Sequence, residues 1–143
     1  MSSGGCLMNS KDANPVVYLT ASDIYNINDA VTEGHTFVRD INLLNSAVAR
    51  PKLVLFGEVQ FPTLIDKAAS LMHSLAYHHL FADGNKRTAV YAVILFLEKN
   101  GLQLNWETSY QYDLLLAIAQ GKFDVAEIAA RIAPYIEPLD PSE

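Results

Sequence analysis

One nine-residue stretch, His79-Leu80-Phe81-Ala82-Asp83-Gly84-Asn85-Lys86-Arg87, gathers a histidine, a carboxylate, a glycine turn and two cations, and an apolar run from Ala89 to Leu97 comes directly after it. The run reads as a buried helix, so Lys86 and Arg87 fall in its first turn. That is electrostatically backward, because the unpaired N–H groups of a helix start carry partial positive charge and favour Asp or Glu. A bound phosphate would reverse the penalty, since such N–H groups form an anion site. His79 is the side-chain type best suited to proton transfer near neutral pH. Asp83 is either a turn former before Gly84 or a single carboxylate holding Mg2+, a metal usually bound by one or two carboxylates plus substrate phosphates. Gly84 suits a tight turn with close backbone approach to a ligand, and Asn85 is a good N-cap in any case. The chemistry these residue types allow is phosphate handling with a built-in base.

Other chemistries find less support. There is no HExxH pair and no paired CxxC spacing for zinc. A Walker-type phosphate loop fails because its upstream glycine position is occupied by His79, and no GxGxxG is present.

Two helices must hold this turn. The first is expected from Pro62 to about Phe81, with Leu64, Ile65, Ala68, Leu71, Met72, Leu75 and Ala76 on one stripe. Continuing that stripe turns His79 inward and leaves Lys67, Ser70, Ser74 and His78 on the polar side. Phe81 is expected to pack into the core and fix the loop. The second helix runs from Asn85 to Asn100 and is closed by Gly101. Around this pair, helices are expected from the caps at 20–23 to about Glu33, over Ile41–Ala49 behind Asp40, over Thr108–Gln120, and from Asp124 to about Ile136. Val16 to Leu19 reads as a short extended segment. Leu53 to Phe56 and Val59 to Phe61 are β-leaning runs flanking Gly57-Glu58, which signals a hairpin. The fold class is all-α with one small β-hairpin.

At 143 residues, half of them hydrophobic, the chain is long enough for one domain with a proper core. The net charge of −6 and the lack of a basic stripe argue against direct nucleic-acid binding. A single cysteine, Cys6, cannot form an internal disulfide, so a reducing, cytoplasmic setting is expected. The apolar run before Glu98 is too short to span a bilayer, which takes about 20 residues. Residues 1–14 read as a disordered or vector-derived leader, 15–137 as the domain and 138–143 as a frayed tail. Arg39 and Arg50 stand between a site role and a surface role.

The stretch His79-x-Phe81-x-Asp83-Gly84-Asn85-Lys86-Arg87 resembles the signature of the Fic/Doc superfamily, whose architecture is called the Fido fold. The usual Fic form has glycine where Lys86 stands, and a further arginine where this chain has Val90. Lysine in that slot, then Thr88-Ala89, resembles the Doc branch, the death-on-curing toxins of toxin–antitoxin pairs. Val38-Arg39-Asp40, Leu43-Leu44 and Ser46 to Pro51 resemble the part of Doc proteins upstream of the signature, and Phe96 to Gly101 resembles the part downstream of it.

The resemblance implies a helical bundle with a flap, here Leu53, Val54, Leu55, Phe56, Gly57, Glu58 and Val59 and on to Phe61, that docks the target segment as an added strand. It implies His79 as the base that takes a proton from a target hydroxyl, and Asp83 as the holder of Mg2+. It implies Gly84, Asn85, Lys86 and Arg87 as the cradle for the phosphates of ATP. Fic enzymes transfer AMP. The Doc branch is a protein kinase that moves the terminal phosphate of ATP onto a threonine of elongation factor Tu, which stops translation. Lys86 fills the room that glycine leaves and adds a charge, so the nucleotide would bind in the reverse sense. An inhibitory Ser/Thr-x-x-x-Glu-Gly/Asn helix is not found, because the residue four before Glu33-Gly34 is Asp29. Inhibition is therefore expected from a separate antitoxin that inserts a helix near the site. An ordinary AMP-transferase and a catalytically silent binding module are the competing readings.

Overall fold

The computed structural model describes residues 15–140, so the leader 1–14 and the last tail residues, 141–143, lie outside the described residues. The helices are α1 (Ala21–Val31), α2 (Ile41–Ala49), α3 (Leu64–Tyr77), α4 (Asn85–Lys99), α5 (Thr108–Ala119) and α6 (Val125–Ile132). Two short antiparallel pairs complete the fold: β1 (Val54–Leu55) with β2 (Glu58–Val59), and β3 (Leu102–Leu104) with β4 (Ile136–Pro138). The described chain is thus all-α with a small hairpin, as its patterning requires.

Short polar side chains start four of the helices. Thr20 and Asp124 form capping boxes with Asp23 and Glu127, while Asp40 and Thr63 cap α2 and α3. Thr63 rather than Pro62 sets the start of α3, because its hydroxyl accepts the Asp66 N–H at 3.0 Å.

α3 is the central rod and packs against α2, α4, α5 and α6. Being surrounded, it is buried on nearly every side, and this corrects the expected polar face. Lys67, Ser70 and Ser74 are all buried. Each is satisfied locally, as buried polar groups must be. Lys67 Nζ donates to the Pro51 carbonyl at 3.1 Å and sits over the Tyr18 ring. The Ser70 hydroxyl donates to the Lys67 carbonyl, and Ser74 Oγ accepts from Arg50. Leu71, Met72 and Leu75 join Phe81, Phe96, Ile118 and Ile128 in the core. Each such side chain contributes about 1.5–3 kcal/mol relative to exposure.

The two ends of the domain are tied down by long-range bonds. Val16 to Leu19 pairs with no strand; instead the Asn100 side chain bonds both backbone groups of Val17 at 2.9 Å. The last helix ends at Ile132, where a 3-10 turn over Ala133–Tyr135 leads into β4. There Pro138 stands opposite Leu102, and the Leu139 N–H donates to the Gly101 carbonyl at 2.9 Å. The partner strands are far apart in the chain and only three residues each, so no local turn signals them.

Candidate active site

The turn between α3 and α4 is built as a strap. α3 ends at Tyr77, because His78 adopts extended backbone (φ −85°, ψ 132°). The next residues direct their backbone groups to the α1–α2 connection. Leu80 O accepts from Arg39 N at 2.7 Å and from Asp40 N at 3.3 Å, and Ala82 N donates to Phe37 O at 2.9 Å. This bridge, Val38 opposite Phe81, seats Leu80 and Phe81 fully in the core. The expectation that Phe81 anchors the loop holds.

His79 differs from its expected position. It lies beyond the helix rather than on its stripe, and its side chain is exposed, while His78 is half-buried beside the Tyr77 and His73 rings. The cause is the strap. Backbone that pairs with residues 37–40 cannot continue the helix, so the helical periodicity stops before it reaches His79.

Asp83 and Gly84 close the turn. Asp83 Oδ1 accepts the Gly84 N–H at 2.8 Å, and its side chain is exposed. Gly84 is the N-cap of α4 with φ 77°, a left-handed conformation that glycine adopts at little cost. α4 has no side-chain cap and no acidic residue in its first turn. Its first intrahelical bond runs from Thr88 N to Gly84 O at 2.9 Å, so the N–H groups of Asn85, Lys86 and Arg87 have no helical acceptor. Lys86 and Arg87 are exposed there. The turn therefore presents free N–H donors, two cations, an exposed carboxylate and an exposed imidazole in one short stretch.

The Asn85 amide is engaged in structure. Its Oδ1 accepts from Phe81 N at 3.1 Å and its Nδ2 donates to Phe81 O at 2.9 Å. Arg87 Nη1 donates to Val31 O at 2.8 Å, where a cation also suits the C-terminal end of α1. Sequence reasoning missed Asn28. It is fully buried, and its Nδ2 donates both to Asp83 O at 2.8 Å and to Thr88 Oγ1 at 3.0 Å. Nothing local marks an asparagine in the middle of an amphipathic helix as the pin of a distant turn.

Beside the strap lies a half-buried cluster. Arg50 Nη1 lies 2.9 Å from His73 Nδ1 and donates to Ser74 Oγ at 3.0 Å. Burial, then the Arg50 charge and His78, push the His73 pKa below the ordinary 6.5, against a smaller upward pull from Asp124. Protonation of His73 is thus disfavoured in the folded state, so the unfolded chain binds more protons. Its contribution to stability is present above about pH 6.5 and is lost as the pH falls through the depressed folded value. Urea unfolding at several pH values is expected to show this acid-side loss, smaller in His73→Gln; equal slopes in the two proteins would refute it.

The flap stands apart from the core. Residues 52–60 are exposed, and Val54 pairs with Val59 and Leu55 with Glu58. Phe56 and Gly57 turn the hairpin with φ 52° and 79°. Successive positive φ values match the twist of a tight hairpin but strain any residue with a Cβ. Phe56 bears that strain with its side chain 103 % exposed.

Two clefts flank the first turns of α4. One, of about 300 Å³, is lined by Lys86, Arg87, Val90, Gln111 and Tyr112. The other, of about 490 Å³, lies between α1 and α4 and is lined by Ile27, Ala30, Val31, Arg87 and Tyr91. Among the described residues there is no group of three or more His, Cys, Asp or Glu arranged for a metal, and no helix long and apolar enough to cross a membrane.

A sequence model of the Fic/DOC family matches residues 18–97, and the chain belongs to that family. It is 40% identical over 120 residues to the Toxin Doc of Mycolicibacterium smegmatis (strain ATCC 700084 / mc(2)155), covering 82% of this chain and 92% of that protein. It is 35% identical over 66 residues to the Protein kinase doc of Escherichia phage P1, covering 46% of this chain and 52% of the phage protein.

Proposed function

We propose that this chain is the toxin of a toxin–antitoxin pair, a protein kinase that transfers the γ-phosphate of ATP to a threonine hydroxyl of elongation factor Tu and so blocks translation. The observation that carries the reading is the start of α4, where the helix has no side-chain cap and no acidic residue in its first turn while Lys86 and Arg87 stand exposed. Such a start favours a polyanion. The names of the two relatives, a toxin and a kinase, support the reading.

Each residue has a role in it. His79 accepts the proton of the target hydroxyl as its oxygen bonds to the γ-phosphorus and the bond to the β–γ bridging oxygen breaks, releasing ADP. The backbone after Gly84, with Lys86 and Arg87, neutralises the charge on the phosphates, and Asn85 contributes by holding the turn through Phe81. Phosphoryl transfer depends mainly on such positioning and charge stabilisation. Asp83 has one oxygen on the Gly84 N–H and a second available to a metal. A single exposed carboxylate suits Mg2+, which takes its remaining ligands from phosphates and water and supplies charge neutralisation when bound. The flap supplies a free strand edge, and a fully exposed aromatic held in a strained conformation fits a surface built for a partner. The groove between α1 and α4 suits the helix of an antitoxin acting in trans, since it ends on Arg87. A buried valine, Val90, stands where the Fic form has a further arginine, which disfavours AMP transfer.

The test is incubation with elongation factor Tu and ATP labelled at either the α or the γ phosphate, read by intact mass. Transfer of the γ label with a mass gain of one phosphate is expected. Transfer of the α label would replace the reading with AMP transfer, and no transfer would leave a silent binding module. Lys86→Gly is expected to lower γ transfer and let α transfer appear; unchanged phosphorylation would remove Lys86 as the cause of the orientation.

A further inference from the structure

Arg50 is a half-buried cation with no carboxylate partner among the described residues. It follows α2 at the start of the 3-10 turn Arg50–Lys52 and is half-buried. Among the described residues its guanidinium contacts neutral groups: His73 Nδ1, Ser74 Oγ and the face of Phe61, 5.6 Å from the ring centroid. Burial and the neighbouring cation hold His73 neutral, so it offers Arg50 an acceptor but no charge. Among the described residues no carboxylate pairs with Arg50, and burial alone lowers its pKa. A guanidinium has five N–H donors and stays charged in proteins. Two are used here, both on Nη1, which leaves three for a ligand.

These groups open into a cleft of about 360 Å³ whose remaining wall includes Leu43, Ala47, Leu53 and His78. The location decides what enters it. Leu53 leads directly into β1 of the flap, and His78 directly precedes His79. The cleft therefore lies between the surface proposed to dock the target and the proposed base. Its lining is apolar on one side, which suits a side-chain stem, and carries an uncompensated guanidinium on the other.

We infer that this cleft binds an aspartate or glutamate side chain of the segment that docks on the flap, making Arg50 a specificity-determining residue. The inference rests on the reading of the flap as the target-docking element. The carboxylate takes the fork of donors that His73 and Ser74 leave free, a geometry for which arginine is suited and lysine is not. The methylene stem lies against Leu43 and Leu53. His73 and Ser74 act as positioning residues that fix the guanidinium plane.

The experiment uses the full chain and two blocked, extended tetrapeptides that differ only in glutamate against glutamine. The Arg50 Nε–H and His73 ring resonances are followed during titration, and inorganic phosphate serves as a third probe. The glutamate peptide is expected to shift both resonances saturably and to bind about tenfold or more tightly than its twin. Arg50→Gln is expected to abolish the preference. Arg50→Lys, which keeps the charge and most of the stem, is expected to reduce it and covers the case in which Arg50→Gln fails to fold. Equal binding of the twins, or no movement at Arg50, overturns the inference. Phosphate shifting these resonances when the glutamate peptide does not also overturns it, because the site would then read a phosphoryl group. The proposed kinase activity fails by a separate sign, loss of γ-label transfer with the glutamate preference intact.

Discussion

Replacing His79 by alanine is expected to reduce phosphoryl transfer by about 100- to 10,000-fold, the usual loss when a positioned general base is removed. The same substitution should leave the melting temperature nearly unchanged. The imidazole is exposed, makes no hydrogen bond among the described residues and comes after α3 rather than forming part of it. The strap that places it is made of backbone bonds at Leu80 and Ala82, together with the buried side chains of Leu80 and Phe81, and none of these needs the ring. Initial rates with γ-labelled ATP, alongside thermal unfolding, check both halves. A rate within about threefold of the parent would remove His79 from the role of base, because general acid–base catalysis accounts for far larger factors. Full loss of activity with a large drop in melting temperature would point to a structural role instead.

Gly84→Ala is expected to have the largest combined effect on stability and ligand binding. At φ 77° an alanine costs about 1–2 kcal/mol from its backbone alone. Its Cβ would also meet Thr32 Cγ2 at 3.0 Å, and Asn28 Nδ2 and Val31 Cγ2 at 3.2 Å. These atoms belong to the C-terminal end of α1, which is tied to the turn by Asn28 and by Arg87 on the Val31 carbonyl. These side chains must give by a few tenths of an ångström, and Asn28 is held by its bonds to Asp83 and Thr88, so the added methyl disturbs the turn between α3 and α4. A total loss of about 2–4 kcal/mol is expected, combining backbone strain with crowding, together with ATP binding weakened beyond detection. Gly57→Ala is the control. It has a similar φ of 79° but open space around the new Cβ, so it should lose only the backbone part. Urea unfolding and calorimetric ATP titration of both variants decide the matter. Equal destabilisation by the two would refute the packing argument, and unchanged ATP binding in Gly84→Ala would refute the assignment of the turn.

Much of this was legible in the chain because it depends on near neighbours. Asp40 caps α2 and Asp124 caps α6 through residues three positions away, so a local reading finds them. The charge reversal at Lys86 and Arg87 is likewise a first-turn property, visible as soon as the helix is recognised. The apolar stripe of α3 was equally clear, but its polar complement was misleading. Lys67 lies against Pro51 and Tyr18, and Ser74 against Arg50, residues far away in the chain, and no periodicity within α3 reveals how many neighbours it has.

Local chemistry along the chain sets the helices, the hairpin and the residues of the turn between α3 and α4, since capping, periodicity and turn geometry act over three or four residues. Tertiary structure alone decided where His79 points. The backbone of residues 80–82 finds its acceptors and donors on residues 37–40, and that long-range pairing ends α3 before the histidine. It also decided that Asn28 would pin the turn and that Arg50 would stand half-buried without a carboxylate. A hydrogen bond between residues far apart in the chain leaves no mark on the spacing of either partner, so only the packed helices could place them.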